Sequence, residues 1–574
     1  MKKIFNIALS AIIGISLSGC SKFLTLLPLN DVVFENFWTD KADVESVLLG
    51  TYSALESSDC IVRMSMWGEM RSDNIVAGNN PSDDLLQITK ENLLETNSLM
   101  SWSCFYDVIN RANTVIKFAP GVNDPNYTPA ELDGNLAEAY TLRSLCYFYL
   151  IRAYRDVPYV TRPSAEDTEE FVIEATPFEA VLDSLIETME YWAEKAVKKY
   201  AATSNYTEEQ ANTGRITQTA AYALLADLYL WKGEWQKCSD ICDKVLARKV
   251  IDYKELKEKQ GSDCLVVYDP ATNPIPMYKE TTGSTTAGTA YNQIFGRGFS
   301  FESLFELAFM DNQSVSNSFV SSYYGGRNSS GNLSAYSRLF IDASSTSGNE
   351  YFKPYDCRYL ECMADGSSTY PIRKYVAFNT GFDLVSASTS APVANIQYRN
   401  ENQNANWIVY RLTDVMLMKA EAKVQLANEI GGGAVASAEV TDLLREAFDI
   451  VSAIYNRSIN YPTNARAIPL VFADYSGSIK SMEELVLLER RRELLFEGKR
   501  WFDLVRMCRR DGSTRRLVST VIPKFTENQS AIRIKLADMD AIYFPIAKSE
   551  LKINPLLHQN PAYIEDEYTA KASN

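Results

Sequence analysis

Residues 220–245 read AAYALLADLYLWKGEWQKCSDICDKV, and this stretch fits a helix-turn-helix repeat template of roughly 34 residues position by position. Tyr222, Leu225, Ala226 and Tyr229 fall in first-helix slots, Gly233 makes the turn, and Trp235, Cys238 and Cys242 fall in second-helix slots. Such a pair cannot bury its apolar faces alone, so several must stack. A second pair is predicted from about Trp407 to Asn428, across the Gly431-Gly432-Gly433 break, to about Arg457.

Working outward, Trp102, Phe105, Ile109, Ala112 and Ile116 recur every three or four residues, marking one buried helical stripe. Leu132 to Tyr154 continues the pattern and becomes apolar nearly all round at LCYFYLI, as a helix enclosed by neighbours does. At Thr176-Pro177-Phe178-Glu179 the sequence offers an N-cap, a first-turn proline and a capping-box glutamate. The stripe Phe178, Leu182, Leu185, Met189 and Trp192 follows. The expected fold is therefore all-α, built of stacked tetratricopeptide-like helix pairs.

The helical pattern lapses between about 250 and 400. In residues 281–350, 35 of 70 are Gly, Ser, Thr or Asn, yet residues 268–375 carry 11 tyrosines. Disordered chains are aromatic-poor, so ordered loops with aromatic tips are expected there.

The chain opens MKKIFNIALSAIIGISLSG, two lysines before an apolar run from Ile7 to Leu17. This is a secretory signal over residues 1–19, its apolar run too short for the roughly 20 residues of a spanning helix. Leu17-Ser18-Gly19-Cys20 resembles a bacterial lipobox, which predicts lipidation of Cys20 and anchoring to the outer membrane. Nine further cysteines, an odd number outside the cytoplasm, do not describe a disulfide framework and read mostly as buried thiols. Cys357 and Cys362 are the exception most open to a disulfide or metal.

The 574 residues include one histidine, His558, which argues against His-based metal and triad chemistry. Nothing calls for a cofactor. Net charge is −16, and −18 once Lys2 and Lys3 leave with the signal. With no basic block, nucleic acid is an unsuitable partner.

The C-terminal hundred residues contain SMEELVLLERRRELLFEGKRWFDLVRM (481–507) and YFPIAKSELKINPLLHQNPAY (543–563). With the lipobox, FWTDKADVESVLLGTYSAL (37–55), WSCFYDVINRANTVIKF (102–118) and YRLTDVMLMKAEAK (410–423), this ordered set resembles the SusD/RagB family of outer-membrane nutrient-binding lipoproteins. The resemblance implies one SusD-like α-α superhelical domain over residues 20–574, with four tetratricopeptide-like pairs. Its parts would be helical from about 30 to 250, loop-rich and ligand-binding from about 250 to 400, and helical from about 400 to 574. It also implies a surface lipoprotein that binds glycan without cleaving it and caps a SusC-like TonB-dependent transporter. RagB-type relatives imply peptides or glycopeptides as the alternative ligand, and a surface glycoside hydrolase using two carboxylates is the enzymic alternative.

Within the terminal motif, Ser481 and Glu484 suggest a capping box, and Glu489 and Glu493 sit among arginines that would lower their pKa values and spoil a general acid. A structural ion-pair network is the reading preferred there. A sugar needs exposed aromatic planes and planar polar groups. Two stretches supply them: Trp67-Gly68-Glu69-Met70-Arg71-Ser72-Asp73-Asn74 before the polar loop GNNPSDD, and Ser321-Ser322-Tyr323-Tyr324-Gly325-Gly326-Arg327-Asn328. Trp67, Arg71, Asp73, Asn74, Tyr323, Tyr324 and Arg327 are the candidate ligand contacts. Trp102, Trp192, Trp235 and Trp501 are read as core or repeat residues, and His558 as a hydrogen-bonding member of a C-terminal strap.

Overall fold

The computed structural model describes residues 37–164, 172–280, 290–309, 317–326, 331–341, 347–363, 370–381, 395–399, 404–460, 463–464 and 466–564. The leader, Cys20 and Arg327 lie outside the described residues. Eleven longer helices carry the fold: α1 (Lys41–Leu55), α2 (Ser58–Glu69), α3 (Ser103–Phe118), α4 (Pro129–Tyr154), α5 (Phe178–Lys195), α6 (Gln218–Lys232), α7 (Trp235–Gln260), α8 (Leu412–Gly431), α9 (Ala438–Ser458), α10 (Ile479–Glu493) and α11 (Arg500–Asp511).

The stretch at 220–245 folds as its pattern requires. Thr217 accepts from the Ala220 amide to start α6, and Gly233 ends it at φ +85°, a left-handed conformation that suits glycine. α7 begins two residues later, with Cys238 and Cys242 buried. From α3 onward each helix packs against the next, α3 on α4, α4 on α5, and so on through α8, α9 and α10, with α1 laid on α3 and α4. Within α4 nearly every side chain after Leu136 is buried, because α3, α5, α1 and α6 enclose it.

Three local expectations are corrected. α5 is not capped by Thr176, which lies in a short strand; its first amide, at Phe178, donates to Asp156 Oδ1, a cap brought in by tertiary structure. Ser478, not Ser481, caps α10 by accepting from the Ser481 amide. Trp407–Arg411 is a strand rather than the start of a helix, antiparallel to Ser303–Leu307 and buried on both faces; α8 begins at Leu412. The run Trp-Ile-Val-Tyr favours that extended form, since β-branched and aromatic side chains suit a pleated surface.

Strands elsewhere are short and paired in twos. Ile75–Ala77 pairs antiparallel with Leu333–Ala335, stitching the N-terminal helices to the loop-rich region. The C-terminal segment is a strap: Phe544 donates its amide to Ala153 O, and Gln559 and Ile546 exchange hydrogen bonds. Asn554, Gln559 and Asn560 hold this strap, whereas His558 is exposed. The nine cysteines among the described residues are free thiols, Cys357 and Cys362 included, and all but Cys104 and Cys264 are buried. No helix among the described residues is long and apolar enough to cross a membrane.

Two glycines mark where α2 meets the terminal motif. A Cβ on Gly68 would stand 1.8 Å from the Gly498 carbonyl oxygen, and Gly498 itself holds φ +70°. Gly68→Ala must therefore displace backbone, and a loss of about 2 kcal/mol is expected, as for an overpacked core site. A urea titration reads this, and an unchanged midpoint would show that the two backbones are not in contact.

Candidate functional site

α10 and α11 bring a set of charges into the interior. Arg411 donates through Nε and Nη2 to the two oxygens of Glu497 at 2.9 and 2.8 Å, and through Nη1 to Glu493 at 2.8 Å. Glu493 is also held by Arg457 at 2.6 Å and Arg358 at 3.2 Å, and Glu489 by Arg358 at 2.6 Å. Arg490 joins Asp414 to Asp503, and Arg506 bridges Asp503 and Glu421. Burial alone would raise the Glu493 pKa, but the Arg457, Arg411 and Arg358 guanidinium groups hold it well below the usual carboxylate range. A carboxyl so placed cannot keep a proton to donate near neutrality. The arginine-rich motif is an internal clamp that joins α8, α9, α10 and α11 to Glu302, Asp356 and Lys374 of the loop-rich region.

The same clamp absorbs the first candidate stretch. Trp67 is fully buried, stacks on Phe105 at 5.1 Å and donates Nε1 to Leu99 O. Arg71, also fully buried, forms a fork with Glu91, donates to the Ala541 and Ile542 carbonyls and lies 4.2 Å over the Trp501 ring. Asp73 pairs with Arg491 at 3.0 Å and Arg500 at 2.9 Å, which overcome burial and lower its pKa to about 2. Asn74 donates to Glu69 and accepts from Arg491. These four side chains face inward and spend their hydrogen bonds on the protein itself, so in this conformation they present nothing to a ligand.

The second stretch divides. Tyr324 is buried, its hydroxyl donating to Phe496 O at 2.8 Å, while Tyr323 next to it is half-buried and stacks on Phe319 at 5.1 Å. Both lie in a π-helical turn, Val320–Tyr324. The core reading of the four tryptophans holds: Trp102 and Trp501 are buried, and Trp192 and Trp235 are partly buried against the core.

The structure brings the two stretches together in successive layers. The Asn332 amide donates to Ser322 O, and Gly78 and Asn79 donate to Asn332 O and Gly331 O, so the GNNPSDD loop abuts the tyrosine turn. The Tyr336 amide donates to Asn74 O, and Arg491, which holds Asn74, lies 4.1 Å over the Tyr351 ring. Tyr323, Tyr336 and Tyr351 are each partly exposed. Tyr336 and Tyr351 are backed by the buried Asn74 and Arg491, whereas Tyr323 is backed by Phe319. Tyr336 is fixed by its hydroxyl on Pro523 O at 2.6 Å, and the Tyr351 carbonyl accepts from Arg492. Beside Tyr351 opens a cleft of about 420 Å³ lined by Tyr455, Tyr475, Asp356, Leu488 and Arg492. Sequence reasoning missed Tyr336 and Tyr351; the tyrosine count in 268–375 was their only signal.

Several buried or partly buried carboxyls titrate upward. Burial pushes Glu69, Glu280 and Glu56 to about 7, against the hydrogen bond from Asn74, the Arg457 charge and the Ala308 amide respectively. Their native pKa values exceed those of the unfolded chain, so their contribution to stability is present below about pH 4.5 and lost as pH rises through 7. Asp73 and Glu493 act oppositely, stabilising above the ordinary carboxylate range and failing in strong acid. Maximal stability is expected near pH 5 rather than pH 8. Urea midpoints at both values test this, and Glu280→Gln should reduce the difference.

The chain thus presents a predominantly helical protein with a ring-faced surface over an ion-paired interior. Residues 22–230 match a family model described as "Starch-binding associating with outer membrane", and residues 341–563 match one described as "SusD family". The chain belongs to the SusD/RagB family. It is 26% identical over 605 residues to SusD-like protein P38 of Formosa agariphila, covering 98% of this chain and 100% of that one. A SusD-like protein of Bacteroides ovatus is 25% identical over 434 residues, 73% of this chain and 71% of the relative. Among solved structures, a SusD homolog from Bacteroides thetaiotaomicron aligns with TM-score 0.64 at 18% identity, covering 92% of this chain and 98% of that one. Bacteroides fragilis NanU aligns with TM-score 0.60 at 17% identity, covering 94% and 100%. At such identities the structures speak for the fold.

Proposed function

We propose that this protein is a non-catalytic glycan-binding lipoprotein, anchored through Cys20 to the outer membrane with Tyr323, Tyr336 and Tyr351 facing the cell exterior. It delivers bound oligosaccharide to a SusC-like TonB-dependent transporter, and its helix pairs stack as a tetratricopeptide-like array that holds the loop-rich face in place. The observation that carries this reading is a set of three partly exposed tyrosines, Tyr323 stacked on Phe319, Tyr336 fixed through its hydroxyl and Tyr351 backed by Arg491. Partly exposed rings offer flat apolar faces to sugar C–H groups, and a prearranged face loses little entropy on binding. Repeated units of a polysaccharide compensate for modest contacts at each one. Absence of catalysis is supported by Glu489 and Glu493, both committed to buried arginines. Isothermal titration against a panel of starch-type and other neutral oligosaccharides tests the reading, which fails if none binds.

A further inference from the structure

A cleft of about 720 Å³ lies between α7, the short helix Glu208–Gly214 and the segment Gln293–Ser303, and its lining includes none of Tyr323, Tyr336 and Tyr351. That is well within the size of ligand pockets, commonly about 300–1,000 Å³. Its chemistry departs from the chain's. Against a net charge of −16, its lining holds six Lys or Arg and five Asp or Glu. Three of the five acids are already engaged, Glu208 and Glu255 by Lys199 and Asp252 by Arg248. Lys199, Arg248 and Lys259 are spent on those acids, and the lining carries one net positive charge where the chain carries −16.

Two donors of the cleft are buried. Gln293 is 8% exposed, and its Nε2 has no hydrogen-bond partner among the described residues. Lys249 is 7% exposed and holds only a long ion pair, 3.7 Å to an Asp252 that Arg248 also holds at 2.8 Å, while Glu302 is taken by both contacts from Arg457. An unsatisfied buried donor such as Gln293 Nε2 is costly, and a site that keeps one beside a loosely paired ammonium is prepared for an acceptor. The Lys249 ammonium lies 4.0 Å over the Phe301 ring, and Phe299 beside it is held at φ +51°, a conformation rare for a bulky side chain. Strain of this kind collects at functional sites. Both rings are partly exposed in the cleft. Arg297, at the exposed rim, forms no ion pair among the described residues.

We propose that this cleft is a second saccharide site, specific for an acidic sugar, whose carboxylate is received by Lys249 Nζ and Gln293 Nε2 while the sugar ring lies against Phe299 and Phe301. The site contains none of Tyr323, Tyr336 and Tyr351 and stands or falls separately. Titration calorimetry on the full chain, using galacturonate, glucuronate and mannuronate oligosaccharides alongside their methyl esters, tests it. At least one acid should bind about tenfold or more tightly than its ester, the difference one charge-assisted hydrogen bond supplies. Lys249→Met and Gln293→Leu should each erase that difference, Lys249→Arg should retain part of it, and Tyr323→Ala should leave it intact. Circular dichroism and melting establish that the variants are folded. If acids and esters bind equally, if no acid binds, or if folded Lys249→Met and Gln293→Leu proteins bind acids as before, the proposal is wrong.

Discussion

Arg411→Met should destabilise the protein by about 3–5 kcal/mol, the usual result of removing one partner from a buried ion pair. The guanidinium is 1% exposed and makes five hydrogen bonds, three to the side chains of Glu493 and Glu497, one to the Glu493 carbonyl and one to the Thr413 hydroxyl. Deleting it leaves Glu497 with Lys374 at 2.5 Å and Glu493 with Arg457 and Arg358, so the carboxylates remain buried with less compensating charge. The penalty should rise with pH, as those carboxylates must then stay ionised. Replacing Arg411, Glu493 and Glu497 together by apolar residues should cost less than the single change, because no charge is then left unmatched. Urea denaturation at pH 5 and 8 measures both effects. A single variant as stable as the parent would mean that the clamp does not hold the two regions together.

Tyr323→Ala and Tyr351→Ala should each weaken glycan binding about tenfold, and the double variant about a hundredfold, if each ring supplies about 1.4 kcal/mol of stacking. Stability should fall only modestly, by about 1 kcal/mol for each half-buried ring packed against the core. Both rings are partly exposed, and the Tyr351 interaction with Arg492 uses a backbone carbonyl that alanine retains. Trp67→Phe is the contrasting case: it should lower stability through the lost bond to Leu99 O and the thinner stack on Phe105, while leaving the affinity of the folded fraction unaltered. Calorimetry with a saturating oligosaccharide, beside a melt of each variant, separates the two classes.

That contrast shows what the sequence conveys and where it stops. Helix period is local, so α3, α5, α6 and α7 could be read from their stripes, and Gly233 from its place in the turn. Capping of α5 could not, since its partner Asp156 lies 22 residues away and nothing in Thr176-Pro177 reports it. In Trp67-Gly68-Glu69-Met70-Arg71-Ser72-Asp73-Asn74 the residue types suited a sugar, but they suited equally well a buried lattice of arginines drawn from positions 491 and 500. Only long-range pairing decides between them. The two stretches are nevertheless neighbours in space, because the ladder between Ile75–Ala77 and Leu333–Ala335 joins the end of the first to the segment that leads into Tyr336. Tyr323 and Tyr324 are adjacent in sequence and indistinguishable by composition, yet the π-helical turn sends one into the core and leaves the other partly exposed.

Native affinity electrophoresis across a glycan panel, with reducing ends counted in the same gels, tests the central claim most directly. At least one polysaccharide should retard the protein, the Tyr323→Ala/Tyr351→Ala variant should run free, and reducing ends should not increase on prolonged incubation. Retardation that survives the double variant, or a steady release of reducing ends by the parent protein, would contradict the account.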